Sequence, residues 1–212
     1  MRPPVLIPRP ETEHWVLRLA EEFKPKAPMR MLDLGTGSGC IPLLLCHMWP
    51  QGLCAAHAVD ISPHALRLAR DNAELCGVPE TSERENTLVL STANILAESF
   101  IDRLRINSPL NLITSNPPYI PWREYLRLPA SVVDYEDARA LYGGPSGLEF
   151  YHAIARLVSR QNVLASDGIV ALEVGHDQAP AVESILNDTG RFRETAVWLD
   201  PWGKQRTVIA RV

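Results

Sequence analysis

From Met29 onward the chain alternates short apolar runs with segments of helical periodicity, and this alternation constrains the fold more than any other feature. Met29–Leu34 is expected as a buried strand, and the apolar segment Cys40–Trp49 as a helix. Leu53–Val59 follows as a second strand ending at Asp60. Ser62 then makes an N-cap with Pro63 at the first helical position, and Gly77 closes that helix. Further strands are expected at Thr87–Thr92, Leu110–Ser115, Gly168–Val174, Thr195–Leu199 and Thr207–Val212. Helices are expected at Phe100–Leu104, Leu148–Arg160 and Gln178–Leu186. Upstream, Trp15, Val16, Leu19, Ala20 and Phe23 recur at helical spacing, which predicts a helix over Glu13–Phe23. The order predicts an open, mostly parallel α/β sheet with helices on both faces. The link around Pro201-Trp202-Gly203 is too short for a parallel crossover, so the last two strands pair antiparallel.

At 212 residues with 46% hydrophobic content, the chain has the material for one substantial core. A net charge of −4 supplies no basic field for a polyanion or an anionic membrane surface, so neither nucleic acid nor membrane is an expected partner. No apolar run approaches the ~20 residues of a membrane span. The opening residues lack the cationic-then-apolar pattern of a signal peptide. Cys40, Cys46, Cys54 and Cys76 show no C-x-x-C spacing, so no metal site is expected; three of them lie in apolar segments, where a free Cys packs as a small hydrophobe, and this usage fits a reducing compartment.

Two turns carry the chemistry. The first is Asp33-Leu34-Gly35-Thr36-Gly37-Ser38-Gly39, between the first strand and the helix after it. Its glycines allow positive φ and close approach of a ligand to the backbone, at the strand ends where doubly wound folds bind ligands. Asp60 ends the second strand, where a carboxylate can accept hydrogen bonds from ribose hydroxyls. A tight structural turn and a nicotinamide or flavin site are the competing readings. The spacing matches neither G-x-G-x-x-G nor a phosphate loop, and Asp33 would repel a pyrophosphate while accepting a hydrogen bond from an ammonium. S-adenosylmethionine, a nucleoside bearing a cationic amino acid, fits that polarity better than a dinucleotide.

The second turn is Asn116-Pro117-Pro118-Tyr119, directly after the fourth strand. A planar NH₂ group is a poor nucleophile because its lone pair is delocalised. The Asn116 side-chain oxygen and the Pro117 carbonyl can accept its two N–H bonds and turn the lone pair outward. Pro118 removes a competing donor and stiffens the turn, and Tyr119 offers a flat face to a planar amide or base. The plain alternative is an Asn-initiated turn with a Pro-rich exit. The region from Asn116 to Gly147 is expected as one long irregular loop, and the Trp122-Arg123-Glu124-Tyr125 run within it as a lid or substrate-loop surface.

With these motifs in place, the chain resembles the class I S-adenosylmethionine-dependent methyltransferases that act on planar nitrogens. Leu6-Ile7-Pro8-Arg9-Pro10-Glu11-Thr12-Glu13 narrows the likeness to the HemK/PrmC family, which methylates the glutamine of the Gly-Gly-Gln motif in peptide-chain release factors. Tyr135-Glu136-Asp137, Gly143-Gly144-Pro145-Ser146-Gly147-Leu148, Leu172-Glu173-Val174-Gly175 and Asp200 through Arg206 follow the same family pattern.

The resemblance implies a Rossmann-like, mostly parallel seven-stranded sheet with an antiparallel last strand, and S-adenosylmethionine as cofactor. It implies that Gly35, Thr36, Gly37 and Gly39, with Asp33 and Ser38, surround the cofactor's amino-acid end. Asp60 and Ile61 would meet the ribose, and Asn94 and Ile95 the adenine, where the family often has Asp and a large aromatic. Asn116, Pro117, Pro118 and Tyr119 would hold the substrate glutamine, with Asn116 also beside the cofactor. The Pro8–Glu13 segment would wall the site through Arg9 and Glu11, whose alternative is a surface ion pair. In domain terms, residues 1–28 would border the active site, residues 29–212 would form the methyltransferase domain, and the family's N-terminal helical docking domain would be absent. A monomer acting on a release factor is expected. The compartment would be the mitochondrial matrix, to judge from the Val133–Ala140 loop, or else the bacterial cytoplasm. Two other readings stay open: methylation of an exocyclic amine of adenine, cytosine or guanine, and an inactive cofactor-binding scaffold.

Overall fold

The computed structural model describes residues 1–104, 108–133 and 135–212. Seven strands form one sheet: β1 (Met29–Leu34), β2 (Cys54–Asp60), β3 (Thr87–Thr92), β4 (Leu110–Ser115), β5 (Leu164–Glu173), β6 (Glu194–Leu199) and β7 (Gln205–Arg211). Their spatial order is β3-β2-β1-β4-β5-β7-β6, and β7 runs antiparallel to both of its neighbours. The remaining pairings are parallel.

Side chains alternate across β1, and each face finds its own core. Leu32 and Leu34 enter a cluster with Tyr151, Ile154 and Leu186, whereas Met31 enters one with Trp15, Leu19 and Leu45. Helices α1 (Pro10–Glu22), α2 (Cys40–Met48) and α3 (Pro63–Leu75) supply the second face. The first is covered by α4 (Phe100–Arg103), by α8 (Glu149–Ser159) and by α9 (Ala179–Asn187). Ser62 caps α3 by accepting from the Ala65 amide, as its position before Pro63 requires.

Three features depart from the sequence reading by more than two residues, each for a local reason. Helix α1 begins at Pro10, three residues before Glu13, because Pro at N1 is preorganised for a helix and Thr12 is already buried. Strand β5 begins at Leu164 and not Gly168. Its register to β4 slips between Leu110 and Leu112, so Ser166-Asp167-Gly168 imitates a turn inside a strand. The expected loop Asn116–Gly147 is folded more tightly, with one-turn helices α5 (Trp122–Tyr125), α6 (Ala130–Val133) and α7 (Ala138–Leu141). Asp134, in the stretch read as mitochondrial-like, lies outside the described residues.

The strand order reverses between β1 and β4, which pair with Asp33 opposite Thr114 and Leu34 opposite Ser115. The two chemistry-bearing turns therefore leave the sheet side by side, at the crevice where this fold class binds ligands.

Candidate active site

A cavity of about 480 Å³ opens over the carboxyl ends of β1, β2 and β4. Of the residues singled out from sequence, Gly35, Gly37, Asp60 and Ile61 line it, together with Asn94, Ile95, Asn116 and Pro118. Asp33, Thr36 and Ser38 are buried behind the wall. Gly39 also lies behind it, for a packing reason. It adopts φ +78°, and a Cβ there would stand 3.2 Å from the Ala69 Cβ, where α2 meets α3.

The glycine loop is held from below. Gly35 and Thr36 donate their amides to the Val59 carbonyl, at 2.9 and 3.0 Å. Asp60 ties the loop to β2, since its Oδ2 accepts from the Gly37 amide at 2.9 Å and its Oδ1 from the Ser62 amide at 2.8 Å. Burial raises the Asp60 carboxyl above its ordinary value, and these amide bonds partly offset the rise.

Asp33 is wholly buried beneath the loop, and burial pushes its carboxyl up to about 6. Its Oδ1 accepts from the Thr114 hydroxyl at 2.6 Å. Among the described residues its Oδ2 has no partner, and neither has the Thr36 hydroxyl. An orphaned carboxylate oxygen and an orphaned hydroxyl under a glycine loop fit a ligand that brings an ammonium. Across the cavity, the Asn94 Oδ1 accepts from the Leu96 amide at 3.0 Å, and among the described residues its amide nitrogen, on an exposed residue, has no partner. Ile95 is buried and presents an aliphatic wall.

At the end of β4, the Asn116 Nδ2 donates to the Thr12 Oγ1 at 3.2 Å. The Thr12 hydroxyl in turn donates to the Glu173 Oε2 at 2.6 Å, and the Trp15 indole donates to the same oxygen at 2.9 Å. Among the described residues no hydrogen bond reaches the Asn116 Oδ1 or the Pro117 carbonyl. Both acceptors that a bound NH₂ group needs are thus unclaimed among the described residues.

Tyr119 does not line the cavity, and neither does Pro117. The Tyr119 ring packs beside Gly175, its carbonyl accepts from the Gln178 Nε2 at 2.9 Å, and burial pushes its phenol up to about 12. The phenol keeps its proton at neutral pH and is no base. Gly143 packs against the same turn: a Cβ there would stand 2.6 Å from the Pro118 oxygen and 2.7 Å from the Tyr119 Cα.

Arg9 and Glu11 also stand outside the cavity lining, and they do not pair with each other. Residues two apart at a helix start do not face one another. Arg9 instead places its Nη2 2.7 and 2.8 Å from the two oxygens of Glu136, whose side chain is 4% exposed. The Asp137 amide donates to the Pro4 carbonyl at 2.8 Å, so the opening segment and the 135–142 loop form one wall. Beyond it Trp122 stacks on Tyr125 and meets the edge of Tyr142, a lining residue.

Thr12, Glu173, Gly143 and Gln178 escaped individual assignment from sequence. All but Gln178 sit inside motifs quoted for the resemblance, but a hydroxyl on a helix and a glycine in a loop declare no role until their neighbours are known.

No family model matches the chain. The release factor glutamine methyltransferase of Moorella thermoacetica is 36% identical over 208 residues, covering 98% of this chain and 68% of that protein. The Chlorobaculum tepidum protein of the same name is 39% identical over 201 residues, covering 92% and 63%. The chain thus spans about two thirds of the length of these relatives. Among solved structures, the release factor-specific protein-(glutamine-N5) methyltransferase of Alicyclobacillus acidocaldarius superposes with a TM-score of 0.58. It is 29% identical and covers 97% of this chain and 93% of its own.

Proposed function

Because the chain belongs to the release factor glutamine methyltransferase family, we propose that it methylates the side-chain amide nitrogen of the glutamine in a release factor's Gly-Gly-Gln motif. Its sheet is that of the class I S-adenosylmethionine-dependent methyltransferases. Bound S-adenosylmethionine supplies a methyl group on a positively charged sulfur, which makes the carbon electrophilic.

The residues present fit that group. Asp33 and Thr36 offer orphaned polar atoms that would meet the amino-acid end, Asp60 lines the cavity where it would take the ribose, and Asn94 with Ile95 would border the adenine. The observation that carries the reading is the pair of acceptors without a partner among the described residues, Asn116 Oδ1 and Pro117 O, in the turn whose Asn116 and Pro118 line that cavity. Holding both amide hydrogens localises the nitrogen lone pair and favours pyramidalisation, so positioning and electrostatics do the work and no strong base is needed. Pro118 fixes the turn, and Tyr119, packed beside Gly175 outside the cavity lining, anchors its far end.

The working unit proposed is a monomer. Among the described residues no helix is long and apolar enough to cross a membrane. The relatives named above are bacterial, which supports a bacterial-type translation system as the setting; a mitochondrial matrix is the same setting in a eukaryote.

The test is transfer of labelled methyl from the cofactor to a release factor and to its Gln→Ala variant, with duplex and single-stranded nucleic acid as parallel acceptors. Label in the unmodified release factor alone supports the reading. Equal labelling of both proteins, or label only in nucleic acid, overturns it.

A further inference from the structure

Register places two unlike residues together at the carboxyl edge of the sheet. Ser115 of β4 lies opposite Leu172 of β5, so the residues that follow, Asn116 and Glu173, are neighbours. Helix α1 packs over them and points Thr12 and Trp15, one turn apart, at the buried Glu173 carboxylate.

With Glu173 as a carboxylate, hydrogen-bond direction through this cluster is determined; burial raises that carboxyl above its ordinary value, and the Thr12 and Trp15 donors partly offset the rise. Glu173 Oε2 accepts from the Trp15 indole, which can only donate. It also accepts the hydroxyl proton of Thr12 at 2.6 Å. The Thr12 oxygen therefore has only lone pairs left to offer Asn116, and Asn116 must turn its NH₂ toward Thr12 at 3.2 Å. A side-chain amide has two faces related by a half-turn. With the nitrogen committed to Thr12, the oxygen is directed away from it, as the acceptor role requires. The opposite flip would set a donor against the substrate's own N–H.

We propose that Thr12 and Glu173 are positioning residues that lock the Asn116 amide with its oxygen toward the substrate. The inference rests on the amide-methylation reading above for its catalytic meaning. Its structural content, a fixed amide orientation, holds independently of any substrate. Thr12→Val is the decisive variant because it keeps the shape of the buried side chain and removes only the hydroxyl.

The experiment has two arms. In the first, the ¹⁵N–¹H signals of the Asn116 side-chain amide, assigned by their disappearance in Asn116→Ala, are recorded without substrate. One proton is expected downfield and slow to exchange in the unmodified protein, to lose that shift and protection in Thr12→Val, and to regain both in Thr12→Ser. In the second arm, kcat on a release factor is expected to fall about 10²-fold in Thr12→Val. Cofactor Kd should stay within about twofold, and Thr12→Ser should recover most of the rate. Identical Asn116 amide signals in the unmodified protein and Thr12→Val would overturn the lock, and so would an unchanged kcat. An unmodified protein that fails to methylate any release factor would instead overturn the functional reading, and the amide arm would still decide the lock.

Discussion

The Asp60 carboxylate and the Gly37 amide, 2.9 Å apart, join the end of β2 to the glycine loop that follows β1. With the Ser62 amide on its other oxygen, Asp60 sets the shape of the cavity floor before any ligand arrives. Asp60→Asn is therefore no mild change, because its NH₂ group must face one backbone N–H or the other. Cofactor affinity, measured by calorimetry, should fall about 10–100-fold, equivalent to roughly 1–3 kcal/mol. Affinity equal to that of the unmodified protein would show that Asp60 contributes nothing to the cofactor site.

Gly143 makes a prediction that composition alone would miss. Gly143→Ala places a methyl group 2.6 Å from the Pro118 oxygen, a backbone atom that cannot swing aside. The variant should lose about 1–3 kcal/mol in urea unfolding. Turnover should fall about 10²-fold as the Asn116–Tyr119 turn shifts.

Asp33 gives the unliganded protein a pH signature. Its carboxyl is raised from 3.8 to about 6 by burial, so the folded state holds the proton more tightly than the unfolded chain. This contribution to stability is fully present below pH 3.8 and is lost as pH rises through about 6. The loss amounts to about 3 kcal/mol. Asp33→Asn should flatten that part of the urea-unfolding profile. A cofactor ammonium beside Asp33 favours the carboxylate, so cofactor affinity should rise across the same interval, with proton release visible by calorimetry in two buffers at pH 6.

The Arg9–Glu136 pair tests whether the opening segment belongs to the site. Arg9→Ala leaves Glu136 nearly buried without its cation. The expected loss is roughly 1–2 kcal/mol, held down by the solvent that already screens the 38%-exposed arginine. Limited proteolysis should then cut within residues 1–9 sooner, and cofactor should restore protection.

Much of this molecule is legible along the chain. β1, β3 and β4 fall on the expected residues because short apolar runs between strong breakers leave no alternative. The glycine loop, Asp60 and Asn116 converge because βαβ order brings strand ends to one edge. Illegible were contacts between distant segments: Arg9 finding Glu136, Thr12 finding Glu173, Gly143 receiving the Pro118 backbone. Each depends on where a loop returns in space, which local periodicity does not encode. Strand β5 hid its first half for a related reason, since a bulge resembles a turn until its partner strand is known.

Asn116→Ala separates action on the substrate amide, the role proposed for Asn116, from service to the cofactor. Turnover on a release factor and cofactor affinity should be determined on the same preparation. Turnover should fall by about 10² or more, with cofactor Kd within about threefold of the unmodified protein. Undiminished turnover, or a cofactor affinity that falls as steeply as the rate, would contradict that role.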